Sequence, residues 1–317
     1  MVDEDQIARS KEIQQRTGKT FHFATRLLPK RVREATYVLY AFFRVADEVV
    51  DDADRVAPGD QRETLERLRA EALGRQESDD DVLAAFSEMR DQYDIDDEDV
   101  DVFIDAMLTD ITKHRYESYA ELETYMDGSA AAVGRMMTAV MDPNEAEKAL
   151  PHATALGEAF QLSNFLRDVR EDVVERDRIY LPQTTLEKYD VTNEQIRNFE
   201  MSDRFVAVMR TELDRAERLY EEGVAGIRYL PEDCQFAVLL AAVLYADHHR
   251  LIRKRGYDVL SKTPQLSTTR KAFLGAKTWL HWQFNKDPET VFRKVSSLSY
   301  HDARPSGPEP AERLPTR

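Results

Sequence analysis

The chain has 317 residues, 42% of them apolar, and a formal net charge of −16. That length suits one large domain or two ordinary ones around a packed core. The acid excess argues against a nucleic-acid partner, which requires a basic stripe to meet phosphates. Glycine is scarce, with 11 residues, and few segments alternate apolar with polar, so helices are expected almost throughout.

In chain order, the acidic, polar start "MVDEDQIARS" does not read as a signal peptide. Residues 30 to 53 place Val32, Ala35, Val38, Leu39, Phe42, Phe43, Ala46 and Val49 at three- and four-residue spacing, which predicts a core helix. "RVAPGD" ends it, and "QRETLERLRAEAL" reads as a charged surface helix. "SDDD" (78 to 81) and "DIDDEDVD" (94 to 101) read as acidic breaks, the second capping a helix that begins near Val100. Residues 121 to 141 read as one helix whose small-residue run "DGSAAAVG" permits close approach of another helix or of a ligand. A turn at "MDPNEAE" leads to a long helix over 148 to 176, then the loop "RDRIYLP". Helices near 203 to 225 and 232 to 255 complete the core. The Pro-rich polar end, 301 to 317, reads as disordered. No internal repeat or linker divides the chain, so the expectation is one all-α domain over residues 1–300.

Only 12 of the 44 basic residues are lysine. Many acids beside few lysines suggest a halophilic chain that stays hydrated in concentrated salt; the plain alternative is an ordinary acidic cytosolic protein. The lone cysteine, Cys234, excludes an internal disulfide and reads as a buried thiol. The longest strongly apolar run, Phe236 to Ala246, is far short of the about 20 residues that span a bilayer. A cytoplasmic chain is expected. The seven histidines show no metal-ligand spacing.

Two helices are unusual. "AFFRVADEVVDD" (41 to 52) crowds four carboxylates into an otherwise apolar helix. Tyr40, Arg44, Asp47 and Asp51 climb one stripe of it. "FQLSNFLRDVREDVVERDRIYLP" (160 to 182) repeats the pattern with Gln161, Asn164, Asp168 and Asp172, beside Arg167. Unpaired, such charges repel one another and are costly to desolvate. A hard divalent cation removes the conflict: Mg2+, with Mn2+ an alternative, takes oxygen ligands and bridges carboxylates to phosphates. A diphosphate fits, with Arg44 and Arg167 adding charge-assisted hydrogen bonds. An allylic isoprenoid diphosphate ionises to a cation, and that cation needs a dry aromatic pocket. Phe21, Phe23, Tyr37, Phe43, Tyr125, Met136, Met137, Phe160, Phe165 and Tyr245 are the candidates for its walls.

With "KTFHFATRLLPKRVREATYVLYAFFRVADEVVDD", "YMDGSAAAVGRMM" and "LYADHHRLIRKRGYDVL", these stretches resemble the squalene/phytoene synthase family, within it most closely the phytoene synthases. The resemblance covers roughly residues 15 to 260. It implies an all-α isoprenoid-synthase bundle with a central cavity. The implied reaction is head-to-head condensation of two geranylgeranyl diphosphates to phytoene, through a cyclopropylcarbinyl diphosphate, with Mg2+ and without NADPH. It implies metal ligands at Asp47, Asp51, Asn164, Asp168 and Asp172. Diphosphate contacts are implied at Lys19, Thr20, Tyr40, Arg44, Gln161 and Arg167, and Tyr125 in the cavity wall. Arg178 and Tyr180 belong to a loop that closes over the site, and Tyr245 is a phosphate or cavity contact. Glu48 and Thr20 depart from the family's commoner Asp and Ser. "SKTPQLSTTRK" (261 to 271) matches poorly, leaving Lys262, Arg270 and Lys271 as alternative cations.

Several alternatives are weighed against this reading. "TGKT" (17 to 20) lacks the upstream glycine and strand of a phosphate-binding loop, since Ile13 stands where that glycine belongs. A head-to-tail prenyltransferase would pair aspartates soon after "FQ", where Asn164 and Phe165 stand. A squalene or dehydrosqualene synthase would take farnesyl diphosphate instead. A non-enzymatic assembly factor of the same fold tends to lose acids from one motif, and both are present. Oil-soluble product suggests peripheral membrane contact, although no basic amphipathic helix is evident in the sequence. Oligomeric state is not indicated.

Overall fold

The computed structural model describes residues 4–17, 23–51 and 56–298. Lys19, Thr20 and Phe21, and the end at 301–317, lie outside the described residues. The described residues form helices and turns without a strand; one isolated parallel bridge joins Arg115 to Ile179. The helices are α1 (Glu4–Thr17), α2 (Lys30–Asp51), α3 (Pro58–Ala72), α4 (Asp81–Tyr93), α5 (Asp97–Asp110), α6 (Tyr119–Met126) and α7 (Ala132–Met141). They continue with α8 (Ala146–Arg176), α9 (Gln183–Lys188), α10 (Asn193–Arg197), α11 (Asp203–Ala225), α12 (Glu232–Lys254), α13 (Thr268–Phe284) and α14 (Pro288–Val295). Among the described residues, no helix is long and apolar enough to cross a membrane.

Local chemistry sets the boundaries. Asp80, Asp96, Ser118 and Ser202 cap α4, α5, α6 and α11 by accepting hydrogen bonds from first-turn amides, each worth about 1 kcal/mol. The acidic stretch at 94 to 101 is therefore not a break up to Val100. Asp97, Glu98 and Asp99 already form the first turn of α5, where the helix dipole favours carboxylates. The helix expected over 121 to 141 begins at Tyr119 and is interrupted by a π turn, Asp127–Ala131. Such bulges recur at functional sites.

The long helix α8 is the axis of the bundle, packed against α7, α11 and α12. The small-residue run serves that packing. A Cβ on Gly157 of α8 would stand 2.5 Å from the Ala130 carbonyl oxygen, and one on Gly134 would stand 2.5 Å from that of Ala153. Only glycine allows these backbones to approach so closely. The register of α8 is fixed from behind by a buried polar cluster. Ser163 Oγ lies 2.9 Å from both Tyr220 OH and His249 Nε2, and His249 Nδ1 lies 3.2 Å from Glu217. These groups tie α8 to α11 and α12, one residue before Asn164. The thiol of Cys234 is fully buried, and burial pushes it up to about 12. It is a packing residue.

Candidate active site

The acid-bearing faces of α2 and α8 meet at one cavity of about 1140 Å³. Tyr40, Arg44 and Asp47 reach it from α2; Gln161, Asn164, Arg167, Asp168 and Asp172 reach it from α8. The helical period explains both sets, because the residues between them, among them Phe42, Ala46, Leu162 and Leu166, fill the core. Asp51 joins from the end of α2 through a guanidinium. Arg176 donates to Asp51 Oδ1 at 2.9 Å and lies 3.9 Å from Asp172 Oδ1. One side chain thus links the last acids of the two motifs.

Arginines hold the remaining acids. Arg44 pairs with Asp47, and lies 3.3 Å from Glu48 and 3.6 Å from Asp51. Arg167 grips Asp168 through two nitrogens, one at 2.7 Å. The negative charge is still crowded. Burial, then repulsion from Asp51, raises the Asp47 carboxyl above the usual range. Burial, then repulsion from Asp168, pushes Asp172 up to about 8. Asn164 Oδ1 is buried with no hydrogen-bond donor. An unpartnered carbonyl oxygen among crowded carboxylates is the donor set that a hard cation takes. Among the described residues, no three His, Cys, Asp or Glu side chains are gathered tightly enough to enclose a metal by themselves. An ion here would complete its shell with water or phosphate oxygens.

A second group lines the same cavity, packed against Phe165 of α8. Tyr125 OH donates to Asp110 Oδ2 at 2.7 Å, and Arg178 lies 3.4 Å from the same carboxylate while also donating to the Asp110 carbonyl. Asp110 is 5% exposed, and burial pushes it up to about 6. Its Oδ1 has no partner. Arg178 and Tyr180 are buried cavity residues, not the tips of a loop that closes over the site. Ile179 donates to the His114 carbonyl at 3.0 Å and Gln183 to that of Tyr116 at 2.9 Å, which pins the segment down.

Much of the rest of the wall is aromatic or aliphatic, interspersed with Ser129, Thr138, His152 and His248. Phe43, Tyr125, Met137, Phe160, Phe165 and Tyr245 line the cavity as the sequence suggested. Phe165 stacks on Tyr180 at 3.7 Å between ring centroids, and Phe160 on Tyr245 at 4.6 Å. Tyr37 and Met136 are core residues outside the cavity, and Phe23, 38% exposed, does not line it. Of the cations offered by "SKTPQLSTTRK", Lys271 lines the cavity, Lys262 is exposed, and Arg270 is held by Asp247 at 2.7 Å. Sequence reasoning missed Asp110, Arg176 and His248. Arg176 was legible: it continues the α8 stripe four residues beyond Asp172.

Acidic stripes on two helices facing one deep aromatic chamber define an all-α enzyme of the isoprenoid-synthase class. A profile of the squalene/phytoene synthase family matches residues 14–270, and the chain belongs to that family of prenyltransferases. It is 32% identical over 272 residues to the 15-cis-phytoene synthase of Synechococcus elongatus, covering 82% of this chain and 88% of the relative. It is 33% identical to the phytoene synthase of Thermus thermophilus, covering 85% and 91%. A crystal structure of a dehydrosqualene synthase in complex with ligand superposes with a TM-score of 0.81 at 27% identity, covering 89% of this chain and 98% of that one. The squalene synthase of Alicyclobacillus acidocaldarius gives 0.70 at 25% identity, covering 80% and 95%.

Proposed function

We propose that this chain is a phytoene synthase that joins two geranylgeranyl diphosphates head to head. The observation that carries the reading is the pairing of both acidic stripes, through Arg176, at one cavity that Phe43, Tyr125, Phe160, Phe165 and Tyr245 also line. Its volume of about 1140 Å³ lies just above the roughly 300–1,000 Å³ of ordinary ligand pockets, which leaves room for a large apolar substrate. The relatives named phytoene synthase favour the C20 substrate.

Asp47, Asp51, Asn164, Asp168 and Asp172 are the residues that would hold Mg2+, and Mn2+ suits the same oxygens. Bound there, the ion would neutralise the diphosphate and make it a better leaving group. Arg44, Arg167 and Arg176 orient the diphosphate by charge-assisted hydrogen bonds, with Tyr40 and Gln161 beside them. Phe43, Phe160, Phe165, Tyr180 and Tyr245 exclude water from the allylic cation and offer it π faces. Tyr125, held by Asp110, presents its ring to the same space. The salt-adapted reading of the acid excess belongs here too: turnover should persist in molar KCl.

A second reading takes farnesyl diphosphate, because the solved structures cited above are dehydrosqualene and squalene synthases. Purified protein with Mg2+ and either the C15 or the C20 diphosphate separates the two by mass spectrometry. A C40 product without NADPH is expected. Product from the C15 diphosphate alone would replace the assignment.

A further inference from the structure

The chain's exposed apolar surface is concentrated in one place. Eight large apolar side chains are exposed among the described residues, and four of them, Phe273, Trp279, Leu280 and Phe284, belong to α13. Phe273, Leu280 and Phe284 recur at intervals of seven and four, so they form one stripe. Phe284 is 86% exposed. The opposite face, Leu274, Thr278 and Trp282, is buried against the bundle. Two further exposed apolar residues are Phe23, whose ring lies beside the same helix, and Leu27, four residues later in the chain. A Cβ on Gly275 would stand 4.0 Å from the Phe23 ring.

Charge sets this region apart. Residues 259 to 286 contain no Asp or Glu, in a chain with 60 of them, and carry Lys262, Arg270, Lys271, Lys277 and Lys286. Half of the 12 lysines fall between positions 254 and 294. Asp247 neutralises Arg270, Lys277 donates to the Val295 carbonyl at 3.2 Å, and Lys286, two residues past the end of α13, lies over the Trp282 ring; their apolar stems suit an interface. The patch is also continuous with the cavity wall. Ala24 and Thr25, next to Phe23, and Lys271, two residues before Phe273, line the cavity.

We propose that α13, with Phe23 and Leu27, docks this protein on an anionic lipid bilayer and sets the cavity mouth against it. An interfacial helix needs an apolar stripe, flanking cations and aromatic anchors, and α13 supplies all three. This rests on the prenyl diphosphate reading, because only an oil-soluble substrate and product give the cavity a reason to open onto lipid.

The test is sedimentation of the full-length chain with vesicles of phosphatidylcholine, alone or with roughly one-third phosphatidylglycerol, at about 0.15 M salt. Binding to the anionic vesicles is expected. The triple variant Phe273→Ser, Leu280→Ser, Phe284→Ser should bind at least about tenfold more weakly. Its turnover of detergent-dispersed substrate should be unchanged, which shows that the variant folds. Because sedimentation needs no turnover, an inactive chain that still binds vesicles would fail only the enzymatic reading. Three results overturn the proposal: the wild type fails to sediment, the triple variant binds as the wild type does, or the variant dissolves a dimer that binds no vesicles. A chain that binds only after removal of residues 299–317 also overturns it, because the helix is then covered by its own terminus.

Discussion

Asp172→Asn should stabilise the metal-free protein while destroying its activity. Asp172 is the most perturbed acid of the two stripes, pushed up to about 8 by burial and by Asp168. An ordinary carboxyl is ionised in the unfolded chain above 3.8. From that pH upward, folding must either retain a proton or bury a charge. Stability from this group is therefore full below 3.8 and falls as pH rises towards 8. Each pH unit costs about 1.4 kcal/mol, so at neutral pH the ceiling is about 4 kcal/mol. Solvent in the cavity screens part of that, leaving an expected gain of about 2 kcal/mol for Asn, which never ionises. Arg176 keeps Asp51 as its partner in the variant, so no buried cation is orphaned. The assay is urea unfolding in EDTA between about pH 5 and 8, where the difference between variant and wild type should widen with pH. Mg2+ with inorganic diphosphate should raise the midpoint of the wild type and much less that of the variant. A metal-free variant less stable than the wild type at neutral pH would refute the crowded-charge account.

Asp47→Asn or Asp168→Asn should abolish turnover with unchanged far-ultraviolet circular dichroism, whereas Asp80→Asn, at the N-cap of α4, should alter neither, because Asn caps as well as Asp. Full activity in the first two would refute their assignment as metal ligands. Gly157→Ala places a methyl against the Ala130 carbonyl and should cost about 1–3 kcal/mol in urea unfolding; an unshifted midpoint would mean that α8 moves freely against the π turn. His248 is kept neutral by burial, its value lowered from 6.5 to about 3. Its contribution to stability is present above 6.5 and is lost as pH falls towards 3. Between about pH 7 and 5, His248→Gln should therefore lose about 2 kcal/mol less stability than the wild type.

The helical bundle and the two acidic stripes were legible because both obey a 3.6-residue period. Asp47 with Asp51, and Asn164 with Asp168 and Asp172, needed no tertiary information to be read as faces. Asp110 was not legible in this way. It is a single charge at the end of α5, and it becomes part of the cavity only where Tyr125 and Arg178 converge on it. The π turn was hidden because a run of small residues fits an α-helix equally well locally. The segment bearing Arg178 and Tyr180 read as a closing loop, since the main-chain bonds that pin it come from residues some 65 positions away. The stripe on α13 was passed over because Phe273, Leu280 and Phe284 lie beyond residue 260, where the family resemblance ends. Only the burial of Leu274 and Trp282 shows which of its apolar residues face outward.

The acids and the arginines solve one problem together. Two helices carrying four carboxylates, Asp47, Asp51, Asp168 and Asp172, to one part of the cavity repel each other, while Ser163, Tyr220 and His249 tie α8 from behind to its neighbours. Arg44, Arg167 and Arg176 therefore stand between the acids as internal counterions. A guanidinium is a weakly hydrated, planar cation that exchanges one oxyanion partner for another at little geometric cost. On the proposed reading, the carboxylates would hold divalent ions, and Arg44, Arg167 and Arg176 would be free to pair with the diphosphate oxygens. The charged end stays close to neutral in both states. The aromatic end, from Phe165 to Tyr245, need not rearrange when substrate arrives. Rigidity of the apolar wall and exchange of partners among the stripe residues are then separable, which is why substitutions in the stripes should change activity and stability in opposite directions.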